Sequence, residues 1–191
     1  VRGDLYEEVF DYLHQKLFEL EGRKTLEYLT DNRKLDKDIL KNTEFCTWTS
    51  VPDIRDHLRK EFPKALRDIA TLSLNGHNGD IYECAIPYRT RKGIITGFVK
   101  RSIKPGGEPL YNPDRTPKLD NNGNPEYSRY DSTTGLSKAD LFNLHNINKK
   151  PTLLIVEGYP DAAYYIKAGI DNIVAVGQAK LSSSHIYSLQ A

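Results

Sequence analysis

The segment that most restricts the folds open to this chain is an uninterrupted apolar stretch, Leu153-Leu154-Ile155-Val156, that runs directly into Glu157-Gly158-Tyr159-Pro160-Asp161. A strand apolar at every position is buried on both faces, which is the pattern of a parallel sheet with helical crossovers. A helical pattern over 160–168 and a second apolar stretch over 173–176 complete a β-α-β unit, and Ser182-Ser183-Ser184 reads as an N-cap cluster opening another helix. In open α/β sheets reactive groups gather beyond the carboxyl ends of the strands, which is where Glu157 falls. Gly158 permits a tight turn and Pro160 suits the first helical position, so Asp161 lands in the first turn of that helix. Two carboxylates so placed suit a Mg2+ ion or a proton transfer. The same residues also suit a purely structural role, Asp161 offsetting the helix dipole and Glu157 meeting a nearby Lys.

Upstream the pattern differs. Leu5, Val9, Phe10, Leu13, Leu17 and Leu20 recur at helical spacing and predict a helix over 4–21, followed by helices over 25–32, 36–41, 53–58 and 64–72. Ser50-Val51-Pro52-Asp53 introduces the fourth of these. Strand formers over 81–86 and 94–99 flank Arg91-Lys92-Gly93 and predict a hairpin. Pro, Gly, Asn and Asp dominate 104–130, which reads as a long exposed excursion with a turn at Asn121-Asn122-Gly123. Asp120, Asn122 and Asn124 resemble a calcium loop, but Pro125 stands where such a loop needs Gly, so a turn is expected. A short helix over 137–144 and a polar linker over 146–150 lead into the β-α-β unit. The expected architecture is an α+β, helical and β-hairpin basic subdomain over 1–149, followed over 150–191 by the first half of an α/β fold with a parallel sheet.

The net charge of +1 hides an uneven distribution. Between Cys84 and Gly107 stand Arg89, Arg91, Lys92, Lys100, Arg101 and Lys104 with no acidic residue among them. A ribbon bearing only cations can follow a phosphate backbone, or it can be a solvated edge that discourages strand aggregation. Arg129, Tyr130 and Lys138 add an aromatic ring among cations, a combination suited to stacking on bases while holding phosphates. The two cysteines, Cys46 and Cys84, are too far apart for a C-x-x-C motif and read as reduced structural thiols. The five histidines show no ligand spacing, and no G-x-x-x-x-G-K-[ST] loop or G-x-S-x-G elbow occurs. No apolar run approaches the ~20 residues of a membrane span, so a soluble, cytoplasmic protein is expected.

The order of these pieces resembles the RNA-polymerase core of a bacterial-type (DnaG-like) DNA primase. The stretch from Leu153 to Asp161, followed by Ala168-Gly169-Ile170-Asp171-Asn172-Ile173-Val174-Ala175-Val176-Gly177, resembles the opening of that family's Toprim domain. Ile86-Pro87-Tyr88-Arg89 through Gly93, Ile95, Gly97-Phe98 and Arg101 is similar to its basic hairpin, and Arg129-Tyr130 with Ser137-Lys138 to the segment beyond it. Tyr28-Leu29, Arg33, Leu35 and Ile39 look like the helical element that contributes an arginine to template or nucleotide binding.

The resemblance implies that Glu157 and Asp161 belong to an acidic, Mg2+- or Mn2+-binding catalytic centre. It implies that Arg33, Arg89, Arg101, Arg129, Tyr130 and Lys138 hold template or incoming nucleotide. The implied activity is template-directed synthesis of short RNA primers on single-stranded DNA from ribonucleoside triphosphates, with a replicative helicase engaged through other regions. Another Toprim enzyme, a topoisomerase or nuclease, or a non-catalytic single-strand-binding module with a degenerate Toprim half, are the rival readings. Lys34 stands where the family usually has Gly, Val99-Lys100 where it has Gly-Gly, and the 104–130 excursion is longer than usual, as in a primase of a mobile element or phage. The family's Cys/His zinc-binding domain and the D-x-D pair after its second Toprim strand have no counterpart in these residues. With no Met in the chain, the expectation is a piece of a larger primase, with an incomplete metal site and inactive by itself.

Overall fold

A computed structural model describes residues 2–76, 81–136, 141–147 and 151–190. Helix α1 (Arg2–Leu17) buries Leu5, Val9, Leu13 and Leu17 along one stripe. It ends four residues before the predicted boundary because the chain folds back on itself: Gly22 lies so close to the backbone of Lys16 and Leu17 that a Cβ there would collide with it. Leu20, counted in the apolar stripe from its spacing, is consequently 82% exposed. Helix α2 (Arg23–Glu27) widens into a π turn over Tyr28–Asn32, and α3 (Lys37–Lys41) is capped by Asp36, whose carboxylate accepts the Ile39 N–H at 2.8 Å. After β1 (Cys46–Thr47), Ser50 caps α4 (Val51–Glu61), with Pro52 in its first turn, and α5 (Leu66–Thr71) follows.

The expected hairpin forms around the Arg91-Lys92-Gly93 turn, with Gly93 at φ 81°, but its strands, β2 (Cys84–Arg89) and β3 (Ile95–Arg101), start three and one residues later than the apolar spacing predicts. The excursion that follows is more ordered than its composition suggests. It pairs β4 (Glu108–Pro109) with β5 (Tyr127–Ser128), adds bridges Tyr111↔Pro117 and Leu119↔Pro125, and returns to β3 through β6 (Tyr130–Ser132). Its root is fixed by buried Glu108, which accepts from Ser102 Oγ at 3.1 Å and Lys104 Nζ at 2.9 Å. Asp120 accepts the N–H groups of Asn122 and Asn124 at 2.8 and 2.9 Å, a side-chain-capped turn.

The helix expected over 137–144 lies partly outside the described residues. Its described end is not helical: Phe142 pairs as an antiparallel bridge with Ala175, Asn143 is left-handed at φ 65°, and only Leu144–Asn146 form a 3-10 turn. Leu141 and Leu144 bury against Val174 and Val176, so tertiary packing overrides the helical spacing. The β-α-β unit follows as β7 (Leu154–Val156), α6 (Tyr159–Lys167) and a parallel β8 (Ile173–Ala175), then α7 (Ser183–Gln190). Strand β8 is fully buried, but β7 is not buried on both faces, since Ile155 is 40% exposed on the face that α6 does not cover.

The larger sheet, in the order β1-β2-β3-β6, is packed on both faces. Ala85, Phe98 and Cys46 face α1, α4 and α5, whereas Cys84, Ile86, Tyr88 and Val99 face α3, α6 and β8. Cys46 pairs with Ala85 and Thr47 with Cys84, so the two thiols sit on opposite faces and both are free. Burial pushes Cys84 up to about 12 and Cys46 well above the usual thiol range, which leaves both as inert core residues.

Alternation across β3 also corrects the cationic ribbon. Lys100 points to the helical face and is fully buried, its ammonium 3.6 Å from the Asp131 carboxylate directly across the strand pair and 5.0 Å from the Trp48 ring centre. Its neighbour Arg101 points to the opposite face. A strand buried on both sides cannot offer consecutive cations to one ligand.

Candidate functional site

Arg33, Arg101 and Arg129 come together although they arise from three segments. The π turn bonds the Arg33 N–H to the Tyr28 carbonyl five residues back, at 3.2 Å, and so brings both side chains to one face. Arg33 Nε then donates to the Tyr28 hydroxyl at 2.6 Å, with the guanidinium 5.4 Å from the ring centre. Arg101 stands directly across the β3–β6 pair from Tyr130 and donates to its hydroxyl. The Arg101 guanidinium lies 4.8 Å from the Tyr130 ring centre and 5.8 Å from that of Tyr28. Exposed Arg129 and the base of the excursion close an open cleft of about 320 Å3 lined by Tyr28, Arg33, Arg101, Lys104 and Arg129. Among the described residues none of these three arginines is ion-paired with a carboxylate, and Lys104 is neutralised by Glu108. Three guanidiniums converging on one cleft, none of them ion-paired among the described residues, form a site for an anion.

Arg89, expected at the same surface, is placed elsewhere. Its guanidinium is 12% exposed and bound to Glu7 and Glu44, and it also donates to the Gly93 carbonyl at 2.6 Å. Four of its five N–H donors are used in these bonds, so its role here is to tie the hairpin to α1 and to Glu44, whose own carboxyl burial pushes up. Lys138 lies outside the described residues.

The acidic turn forms as the sequence implied. Glu157 follows β7, and its carbonyl accepts the Gly177 N–H at 2.8 Å, which extends the parallel pairing by one step. Gly158 precedes α6, Pro160 sits in its first turn, and Asp161 falls there as well. The Asp161 carboxylate folds back over Gly158, with Oδ2 2.7 Å from where a Cβ would be, so any larger residue would displace it. Glu157 and Asp161 are both exposed, and neither is ion-paired among the described residues. Hard oxygen donors held open in this way fit Mg2+, which binds through one or two carboxylates plus waters and substrate phosphates. Among the described residues no group of three or more His, Cys, Asp or Glu side chains could hold a metal.

Tyr159, between the two carboxylates in sequence, was not singled out as a site residue. It is buried, edge-on to Tyr88 and Phe142, and its hydroxyl is 2.9 Å from that of Tyr88; burial pushes that hydroxyl far above the usual phenol range. Gly177, at φ 70°, is required because a Cβ would collide with the Tyr159 ring. The detectable signal was that glycine, one turn past the second strand. Tyr159 and Pro160 also border a void of about 10 Å3 that Arg33, Arg101 and Tyr130 line from the other side, so the acidic turn and the arginine cleft are neighbours.

The loop after Arg33 is left-handed at position 34. Lys34 adopts φ 57°, a left-handed conformation open to Gly at little cost and unfavourable for Lys. Lys34→Gly is expected to raise stability by about 0.5–1 kcal/mol, measured as a higher urea midpoint with an unchanged slope.

No known family profile matches the chain. A DNA primase of Legionella pneumophila is 28% identical over 198 aligned residues, covering 97% of this chain and 31% of that protein. The fold is similar to the RNA polymerase domain of Mycobacterium tuberculosis primase DnaG, with TM-score 0.71 and 18% identity over 98% of this chain and 60% of that one. It is also similar to a DnaG primase catalytic domain bound to ssDNA, with TM-score 0.63 and 20% identity over 98% and 57%. The resemblance to bacterial-type DNA primases therefore holds in sequence and in fold. The chain spans under a third of the length of the curated relatives it matches, 31% of one and 25% of another.

Proposed function

We propose that this chain is part of a DNA primase core, with a single-strand-binding basic subdomain over 1–149 and the opening of a Toprim domain over 150–191. The activity of the whole protein is then template-directed synthesis of short RNA primers from ribonucleoside triphosphates on single-stranded DNA. The observation that carries this reading is the cleft of Arg33, Arg101 and Arg129, free of carboxylate partners among the described residues and adjacent to an exposed acidic turn. The arginines bind successive backbone phosphates with little sequence preference. Tyr28 and Tyr130 hold the Arg33 and Arg101 guanidiniums against their rings, which lowers the ordering cost of binding. Glu157 and Asp161 would hold Mg2+ or Mn2+. A cation held there would supply activation of a 3′-hydroxyl and charge compensation for the leaving pyrophosphate. The arginine cleft beside the acidic turn, to which the hairpin contributes Arg101, favours the primase reading over a topoisomerase or nuclease of the Toprim group.

Arg33→Ala and Arg101→Ala should each weaken single-stranded DNA binding for every sequence tested. Each should also flatten the plot of log affinity against log salt by about 0.7, as expected for one lost phosphate contact on a single strand. Arg89→Ala should lower the melting temperature and leave that slope unchanged. Fluorescence anisotropy over a salt series separates the cases, and an unaltered affinity in both Arg33→Ala and Arg101→Ala would remove the nucleic-acid assignment.

A further inference from the structure

Helix α6 begins at the acidic turn, and one side of it also reaches the loop that carries Arg33. The Tyr164 hydroxyl donates to the Lys34 carbonyl and lies 3.1 Å from the Arg33 carbonyl, sharing its proton between them. Three residues on, and so on the same side of the helix, the Lys167 ammonium pairs with Asp36. Arg33 is the residue that closes the π turn, and Lys34, directly after it, is left-handed, so Tyr164 holds the backbone where the chain leaves the helix. Asp36 is held in turn as the cap of α3, and the Lys167 ammonium together with the Ile39 N–H keeps its carboxyl below the usual range. Arg33 is thus fixed twice, by its side chain on Tyr28 and by its carbonyl on α6.

We propose that Tyr164 and Lys167 are positioning residues that hold the Arg33 loop in register with Glu157 and Asp161, so that a strand gripped at Arg33 is presented at a set distance from the acidic turn. Neither residue lines the cleft, and both act through the loop backbone. The proposal rests on the reading of the cleft as a single-strand site.

The test is single-stranded DNA binding by the intact protein over a salt series, for Tyr164→Phe, Lys167→Ala and Lys167→Arg, each in the parent and in the Arg33→Ala background. Tyr164→Phe is expected to weaken binding three- to tenfold, the scale of one hydrogen bond, and to flatten the salt slope toward that of Arg33→Ala. In the Arg33→Ala background it should have no further effect, because the residue it positions is already gone. Lys167→Ala should behave in the same way, and Lys167→Arg should retain parent binding. The Lys167 pair is exposed, so that variant keeps the test available if Tyr164→Phe disturbs folding. Parent-like affinity and slope in Tyr164→Phe and Lys167→Ala, or losses that add fully to that of Arg33→Ala, would overturn the positioning role alone. An Arg33→Ala protein that binds as the parent does would instead remove the single-strand reading on which it rests.

Discussion

Glu157→Gln in the intact protein is expected to lower templated ribonucleotide incorporation by about 100- to 1,000-fold, roughly 3–4 kcal/mol on the barrier. Gln keeps the size of the side chain and removes only its charge, and Glu157 is exposed with no ion-pair partner among the described residues, so folding has little to lose. Its backbone carbonyl, which extends the β7–β8 pairing through Gly177, is untouched. Melting temperature and single-stranded DNA affinity should therefore stay at the parent values while synthesis collapses. Asp161→Asn should follow the same pattern, since the exposed Asp161 carboxylate is held over Gly158 in the same turn. Synthesis at the parent rate in Glu157→Gln would show that the acidic turn only offsets the α6 dipole.

The second large effect is on stability. Lys100→Met should cost about 3–5 kcal/mol, because it leaves the Asp131 carboxylate buried opposite an apolar side chain. The space around Asp131 is tight: a Cβ at Gly76 would collide with its carboxylate, so water has little room to enter. Asp131→Asn, which keeps the shape and removes the charge, should recover more than half of the loss when combined with Lys100→Met. Urea unfolding of the parent, both single variants and the pair measures this as a double-mutant cycle. A loss below about 1 kcal/mol for Lys100→Met would mean that the pair is hydrated, and the two-faced burial of β3 would then need revision.

These two sites differ in how legible they were in the sequence. The acidic turn could be read because its parts are contiguous: an apolar strand, a Gly, a Pro at the helix start and an Asp in its first turn are each local requirements. The hairpin and the caps at Asp36 and Ser50 follow from equally local chemistry. Lys100 could not be assigned by counting cations, because burial depends on what packs against each face of β3, and the packing helices come from residues far away in the chain. Arg89 was misplaced for the same reason, its partners Glu7 and Glu44 standing 82 and 45 residues away. The π turn that sets Arg33 over Tyr28 leaves no trace in hydrophobic periodicity, which reads as an ordinary helix through 32. Resemblance to primases had nonetheless placed Arg33, Arg101, Arg129 and Tyr130 in one functional group, and the fold brings all four to adjoining pockets. The hidden order of the 104–130 excursion came from short pairings and the buried Glu108, neither of which needs a repeating pattern.

The most direct test of the reading as a whole is to give the intact protein single-stranded DNA, ribonucleoside triphosphates and Mg2+, and to resolve the products by length. Short ribonucleotide chains that require the DNA template, and that are lost in Glu157→Gln and reduced in Arg101→Ala, are the predicted result. A protein that binds the single strand through the arginine cleft but makes no ribonucleotide product would contradict it, and would make the chain part of a binding module with an idle acidic turn.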